Sequence, residues 1–134
     1  VEVKTLFQAI MGRFAGSALS TALGGRLYNS VAAQTATPPF GVFMLVAGTP
    51  DWTFTEAQED VLIQFSLFDS NASVGPICDA YELLTALFDD CKLSVTGWTH
   101  LYMHRQSQQL VREEEDPGCW HYIIEYRTFM EKSR

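Results

Sequence analysis

No run of apolar residues in this chain approaches the roughly 18 that a membrane-crossing helix requires. No basic stretch followed by an apolar one opens it, as a secretory leader would. Both absences lead to the expectation of a soluble chain that is not secreted. Positive charge is scarce as well. Nine Lys and Arg are scattered among 16 Asp and Glu, for a formal net charge of −7, whereas non-specific DNA or RNA binding depends on neutralising phosphates with Lys and Arg. A nucleic-acid reader is disfavoured. An acidic wall past which DNA slides without sticking is compatible with the same balance.

Cysteine is limited to Cys78, Cys91 and Cys119, an odd set without CxxC spacing. Cys78 and Cys91 fall on one expected helix, about 20 Å apart along its axis, which is beyond the roughly 7 Å reach of a disulfide. Reduced thiols packed as small hydrophobes in a cytoplasmic setting are the simplest reading. The metal and phosphate motifs are missing too: there is no HExxH, EF-hand loop, P-loop or GxGxxG, and Gly24-Gly25 lacks the Lys and Ser/Thr of a phosphate cradle. No internal repeat, low-complexity tract or interdomain linker interrupts the 134 residues, so one domain spanning 1–134 is expected.

What is present is a well-patterned core. Apolar residues make up 47% of the chain and aromatics 13%, which excludes a disordered class. Leu6, Phe7, Ile10, Phe14 and Ala18 follow helical spacing from Thr5 to about Leu23, with a break expected near Gly16 and Ser17 or Ser20 available to cap a second short helix. Gly24-Gly25 ends that pattern and Arg26-Leu27-Tyr28 begins an extended segment. Phe40 to Ala47 is apolar on both alternations and reads as a central strand covered on both faces. Gly48 to Thr55 reads as a turn-rich connection, and Val61 to Phe68 as an antiparallel neighbour. Gly75-Pro76 starts a helix carried by Ile77, Ala80, Tyr81, Leu84, Leu87, Phe88 and Cys91. Trp98 to Arg105 and Cys119 to Met130 alternate as strands, with Gln106 to Gly118 as a long connecting loop. The sum is an α+β fold: two layers, a mainly antiparallel sheet of four to five strands, and two main helices packed on one face.

Candidate chemistry is thin. A nucleophile needs a base in hydrogen-bond reach and a third group to orient it. In the last hairpin, Cys119 or His121 can approach His104, so a small thiol-dependent enzyme using Cys119 and a histidine is the alternative carried forward. His100 and His104 share a strand face about 13 Å apart, too far to hold one ion unaided. The run Glu113-Glu114-Glu115-Asp116 points consecutive carboxylates in diverging directions, which favours a solvated or docking loop over a Ca²⁺ or Mg²⁺ site. Arg105 and Arg112 on the same arm suit an oppositely charged partner or a neighbouring copy. Trp52 and Phe54, in a Pro-Asp loop, need burial at home or by a partner. No catalytic, cofactor-binding or metal residue is assigned. The partner-interface candidates are Trp52, Phe54, Arg105, Arg112, Glu113, Glu114, Glu115 and Asp116.

Taken in order, Gly24-Gly25-Arg26-Leu27-Tyr28, Pro38-Pro39-Phe40-Gly41-Val42-Phe43, the Gly48-Thr49-Pro50 loop, the segment Glu59 to Phe68, and the ending Val111 to Tyr122 resemble the tail-completion family of long-tailed bacteriophages. The resemblance spans most of the chain and rests on order and spacing, since each motif alone is common. It implies a tail terminator, or tail-to-head joining protein: an α+β subunit forming a hexameric ring on the head-proximal end of the tail tube, where it stops tube growth and meets the head connector or stopper protein. It further implies a structural protein of the virion, assembled in the host cytoplasm, without enzymatic activity, cofactor or membrane partner. DNA would pass through the ring without specific binding, and the free protein can be a monomer. The positions carried over are Gly24, Gly25, Arg26 and Tyr28 at the helix-to-sheet junction, and Pro38, Pro39 and Phe40 at the strand entrance.

Overall fold

A computed structural model describes residues 3–32, 36–52, 57–113 and 118–133. The elements run α1 (Val3–Phe14), α2 (Ala18–Leu23), β1 (Leu27–Asn29), β2 (Phe40–Trp52), β3 (Ala57–Asp69), α3 (Gly75–Phe88), β4 (Trp98–Glu113) and β5 (Cys119–Lys132). The fold is mixed α+β. Among the described residues, a five-stranded sheet has the order β1-β2-β3-β5-β4; of its pairs, β1 to β2 is parallel and the other three are antiparallel.

The N-terminal helix pattern breaks near Gly16 and a second short helix follows, as expected, so among the described residues there are three helices, the short α2 beside the two main ones. Gly16 takes φ +73°, a conformation that ends a helix. Ser17 then caps α2, its side chain accepting the Ser20 N–H at 3.1 Å. At the other end of α2, Gly24 adopts the left-handed conformation and its N–H closes onto the helix. The Gly25 N–H donates to the Ser20 carbonyl at 2.8 Å.

Alternation along the strands separates the two sheet faces. Phe43, Val61, Ile63, Phe65, Leu67, Ile124, Tyr126 and Met130 are buried with Leu6, Ile10 and Phe14 of α1, Leu19 and Leu23 of α2, and Ile77, Leu84 and Phe88 of α3. Phe65 sits at the middle of this core, 4.8 Å from the Phe88 ring and 5.7 Å from that of Tyr126. The two-layer description is not matched throughout: Val46, Ala47 and Gly48 of β2 are exposed.

Several expected boundaries shift. β2 is not central; it lies second from the edge, and β3 takes the middle position. Gly48 to Trp52, expected as a turn, stays extended and pairs with Val61 to Ala57 of β3. Gln106 to Glu113, expected as loop, continues β4 against β5. Cys91 lies three residues beyond the end of α3 instead of within it. All three cysteines are free thiols.

Candidate functional site

The two motifs at the helix-to-sheet junction meet in space. Arg26 Nε donates to the Pro39 carbonyl at 3.0 Å, and the Gly41 N–H donates to the Arg26 carbonyl at 2.8 Å. The short β1 is thereby clamped beside the entrance of β2. Gly41 is needed at this crossing, since a Cβ there would lie 2.9 Å from Leu27 Cδ1 and 3.2 Å from Leu67 Cδ2. Tyr28 and Phe40 approach edge-on at 6.2 Å, and Phe40 stacks on Phe68 at 5.0 Å. Phe68 in turn stacks on His121 at 4.2 Å. An aromatic row therefore crosses β1, β2, β3 and β5 on the face opposite the helices.

The candidates on β4 divide into two groups. Arg105 lies over the Tyr81 ring at 5.6 Å, hydrogen-bonds the Tyr81 hydroxyl, and sits 3.3 Å from Asp89 Oδ2. Tyr81 stacks flat on Tyr122 at 4.2 Å, so Arg105 ties α3 to the β4–β5 hairpin. Arg112 lies over the Trp120 ring at 5.1 Å and reaches the Asn71 carbonyl at 3.4 Å. Glu113 Oε1 approaches His121 Nδ1 at 3.6 Å. Trp52 closes β2 opposite Ala57. Phe54, Glu114, Glu115 and Asp116 lie outside the described residues.

The thiol reading finds its parts separated. His104 pairs across from Arg127, eight residues along β5 from Cys119, a separation of roughly 26 Å in an extended strand. His104 Nε2 faces Asp90 at 3.2 Å instead. His121 does share the strand face of Cys119, yet it directs Nδ1 to Glu113. The Cys119 thiol donates to the Trp120 carbonyl at 3.3 Å. Burial, the largest cause, pushes the Cys119 thiol above its ordinary range, with the nearby Glu113 and Asp69 charges adding to the effect. A raised thiol is a poorer nucleophile at neutral pH. His121 is moved the other way, its burial favouring the neutral ring over the opposing pull of Glu113.

Open grooves mark the surface formed by the described residues. One of about 420 Å³ runs between α1 and the segment after α3, lined by Gln8, Ala9, Gly12, Arg13, Lys92 and Leu93 among others. Another of about 430 Å³ lies on the other flank of α1, against Asn29. A third, of about 270 Å³, is formed by Ala47, Asp60, Leu62, Gln106 and Arg127 on the helix-free sheet face, where Arg127 Nε donates to Asp60 Oδ1 at 2.8 Å. Among the described residues, no cysteine or histidine lines any of these three. Among the described residues, no group of three or more His, Cys, Asp or Glu is placed to hold a metal ion. Among the same residues, no helix is long and apolar enough to cross a membrane.

Sequence reasoning did not foresee the Asp89–Tyr126–Arg105–Tyr81 cluster or the aromatic row. Both join residues distant in sequence, and only the strand registers bring them together. The geometry shows a mixed α+β fold whose prominent surface features, among the described residues, are grooves, sheet edges and salt links. This fold is similar to that of a chain in the structure described as the virion of a native gene transfer agent particle, with a TM-score of 0.72, 13% sequence identity, and 87% of each chain covered. No family model matches the chain, and no curated protein matches it.

Proposed function

We propose that this chain is a structural virion component of a phage-like particle, and within it a tail-completion subunit: a tail terminator that caps the tube and joins it to the head connector. The observation that carries this reading is the fold shared over 87% of both chains with a component of a gene transfer agent virion. The ordered motifs from Gly24 to Tyr122 point the same way, and the Arg26 to Pro39 clamp gives two of them a common structural purpose. On this reading the subunit works as a ring of six copies, contacts tube and connector proteins, and performs no catalysis. Its acidity suits a passage for DNA, because carboxylates repel the phosphate backbone. Its location is the head-proximal end of the tail, after assembly in the host cytoplasm.

Purified protein mixed with matching tail tubes and imaged by negative-stain electron microscopy tests the role. A cap at one end of each tube supports it, and tubes left bare at both ends overturn it. The Cys119→Ser variant separates this reading from thiol chemistry, since a structural cap keeps its full capping activity without the sulfur.

A further inference from the structure

Residues 91–96, between α3 and β4, belong to no helix or strand, yet they alternate as a strand does. Cys91, Leu93 and Val95 are buried in the core, whereas Lys92, Ser94 and Thr96 are exposed. A period of two marks an extended chain. Both ends are fixed: the Cys91 N–H donates to the Phe88 carbonyl at 3.3 Å, and the Trp98 N–H donates to the Val95 carbonyl at 3.1 Å. Among the described residues, no strand pairs with this segment. Among the same residues, neither Lys92 nor Ser94 has a hydrogen-bond partner, through backbone or side chain.

α1 supplies the facing wall. Gln8, Gly12 and Arg13 line the open groove of about 420 Å³ together with Lys92 and Ser94. Gly12 stands inside the helix at a cost in propensity, and a Cβ there would meet nothing within 4 Å, so the wall is open at that point. Arg13 is held by its Nε, which donates to the Leu87 carbonyl in the last turn of α3 at 2.7 Å. The bond satisfies one of the carbonyls that a helix C-terminus leaves over. Its two Nη groups have no partner among the described residues. The carboxylates next to Lys92 along the chain are engaged elsewhere: Asp89 with Tyr126 and Arg105, and Asp90 with His104 at 3.2 Å. The groove therefore gathers two cations and the polar Gln8 and Ser94, with no carboxylate among the described residues that line it, on a chain whose formal net charge is −7.

We propose that this groove is the docking site for an extended, acidic segment of a partner protein. The carboxylates of the segment meet the Arg13 guanidinium and the Lys92 ammonium, and its main chain takes up the open backbone groups of Lys92 and Ser94, as a strand added to a sheet edge does. Two cations beside free backbone groups fit a peptide with carboxylates on alternate residues. They do not fit duplex DNA, which carries a charge every ~1.7 Å of its axis and is held by a longer basic track. The site goes beyond the tail reading and stands without it.

A fluorescein-labelled peptide of alternating Glu and Thr, titrated at low salt and followed by anisotropy, tests it. The same-length peptide of alternating Lys and Thr and a short DNA duplex serve as the competing probes. The acidic peptide is expected to bind and the basic one to fail. Lys92→Glu, at an exposed side chain, is expected to weaken binding at least about tenfold, because it sets like charges against each other. Gly12→Leu narrows the groove without altering charge and improves helix propensity, so a comparable loss in this variant, with its melting temperature kept or raised, excludes misfolding as the cause. Nuclear magnetic resonance of isotope-labelled protein is expected to show peptide-induced shifts at Gln8, Arg13, Lys92 and Ser94, and slower amide exchange at Lys92 and Ser94. An acidic peptide that does not bind, binding unchanged in either variant, shifts confined to another surface, or a duplex that binds as tightly at the same residues overturns the proposal. Tube capping is scored separately: tubes left bare by a protein whose groove takes the peptide defeat the tail reading alone, and capping by a protein that ignores the peptide defeats the docking alone.

Discussion

The hydroxyl of Tyr126 donates a 2.6 Å hydrogen bond to Oδ1 of Asp89, while the other oxygen of the same carboxylate lies 3.3 Å from Arg105. One carboxylate thus fastens the end of α3 to both β5 and β4. The Tyr126 ring is fully buried, and burial, then the bond to Asp89, holds its hydroxyl far above the usual tyrosine range. It stays a neutral donor at any ordinary pH. Tyr126→Phe removes the donor without opening a cavity and leaves Asp89 its Arg105 contact. The expected cost is about 1 kcal/mol, read as a lower urea midpoint with an unchanged slope. An unchanged midpoint would show that solvent replaces the bond without loss.

Two glycines respond in opposite directions to the same methyl group. Gly12 sits inside α1 with nothing within 4 Å of an added Cβ. Gly12→Ala should therefore raise stability by up to about 1 kcal/mol through helix propensity. Gly24 has φ +61°, and its added Cβ would lie 2.9 Å from Arg26 Nη1, the same side chain that grips Pro39. Gly24→Ala should lower stability by about 1 kcal/mol or more. Thermal melts of the two variants beside the wild type check both signs at once.

The sequence is legible where one element satisfies its own periodicity. Ile77, Ala80, Leu84 and Phe88 define α3, and Val61, Ile63, Phe65 and Leu67 define the buried face of β3, because each set alone marks a surface that must leave water. The second half of β4 escaped notice for a physical reason. Gln106, Ser107, Gln108 and Gln109 are polar and lie on an exposed edge, and the extended form of Ser107, Gln108 and Gln109 comes from pairing with β5, which no local pattern records. The parallel β1 to β2 pair and the Tyr126 to Asp89 bond likewise depend on registers between distant segments.

Stability should fall as His121 is forced to protonate. Its pKa in the folded chain lies below the ordinary value of 6.5, chiefly because burial disfavours the charged ring. Below pH 6.5 the unfolded chain binds the proton more readily than the folded one, so stability is full above that pH and is lost as pH falls toward the folded value. His121→Phe keeps a ring against Phe68 and removes the titration. Urea midpoints of both proteins between pH 7.5 and 5.5 should show a shallower decline in the variant. Parallel declines would place the acid sensitivity elsewhere.

Cys119 should alkylate slowly. Its thiol is raised by burial and donates to the Trp120 carbonyl, so the reactive thiolate is scarcer than in a free cysteine at the same pH. Iodoacetamide labelling at pH 7.5, followed by peptide mass spectrometry, should modify Cys119 more slowly than free cysteine. Faster labelling would mark an activated sulfur and revive the enzymatic alternative.

The aromatic row on the helix-free face makes its own test of how that face is held. Phe40 and Phe68 occupy paired positions of β2 and β3, with ring centroids 5.0 Å apart and planes tilted by 25°. Cross-strand aromatic pairs gain energy from ring geometry beyond the area they bury. Replacing each by Leu keeps much of the apolar area and removes the stacking, so a double-mutant cycle isolates the ring-to-ring part. The expected coupling is about 0.5–1.5 kcal/mol. Additive effects of the two substitutions would mean that the rings contribute area alone. In that case the link from the Arg26 clamp to the β4–β5 hairpin would rest on backbone pairing, with the row of rings adding no rigidity.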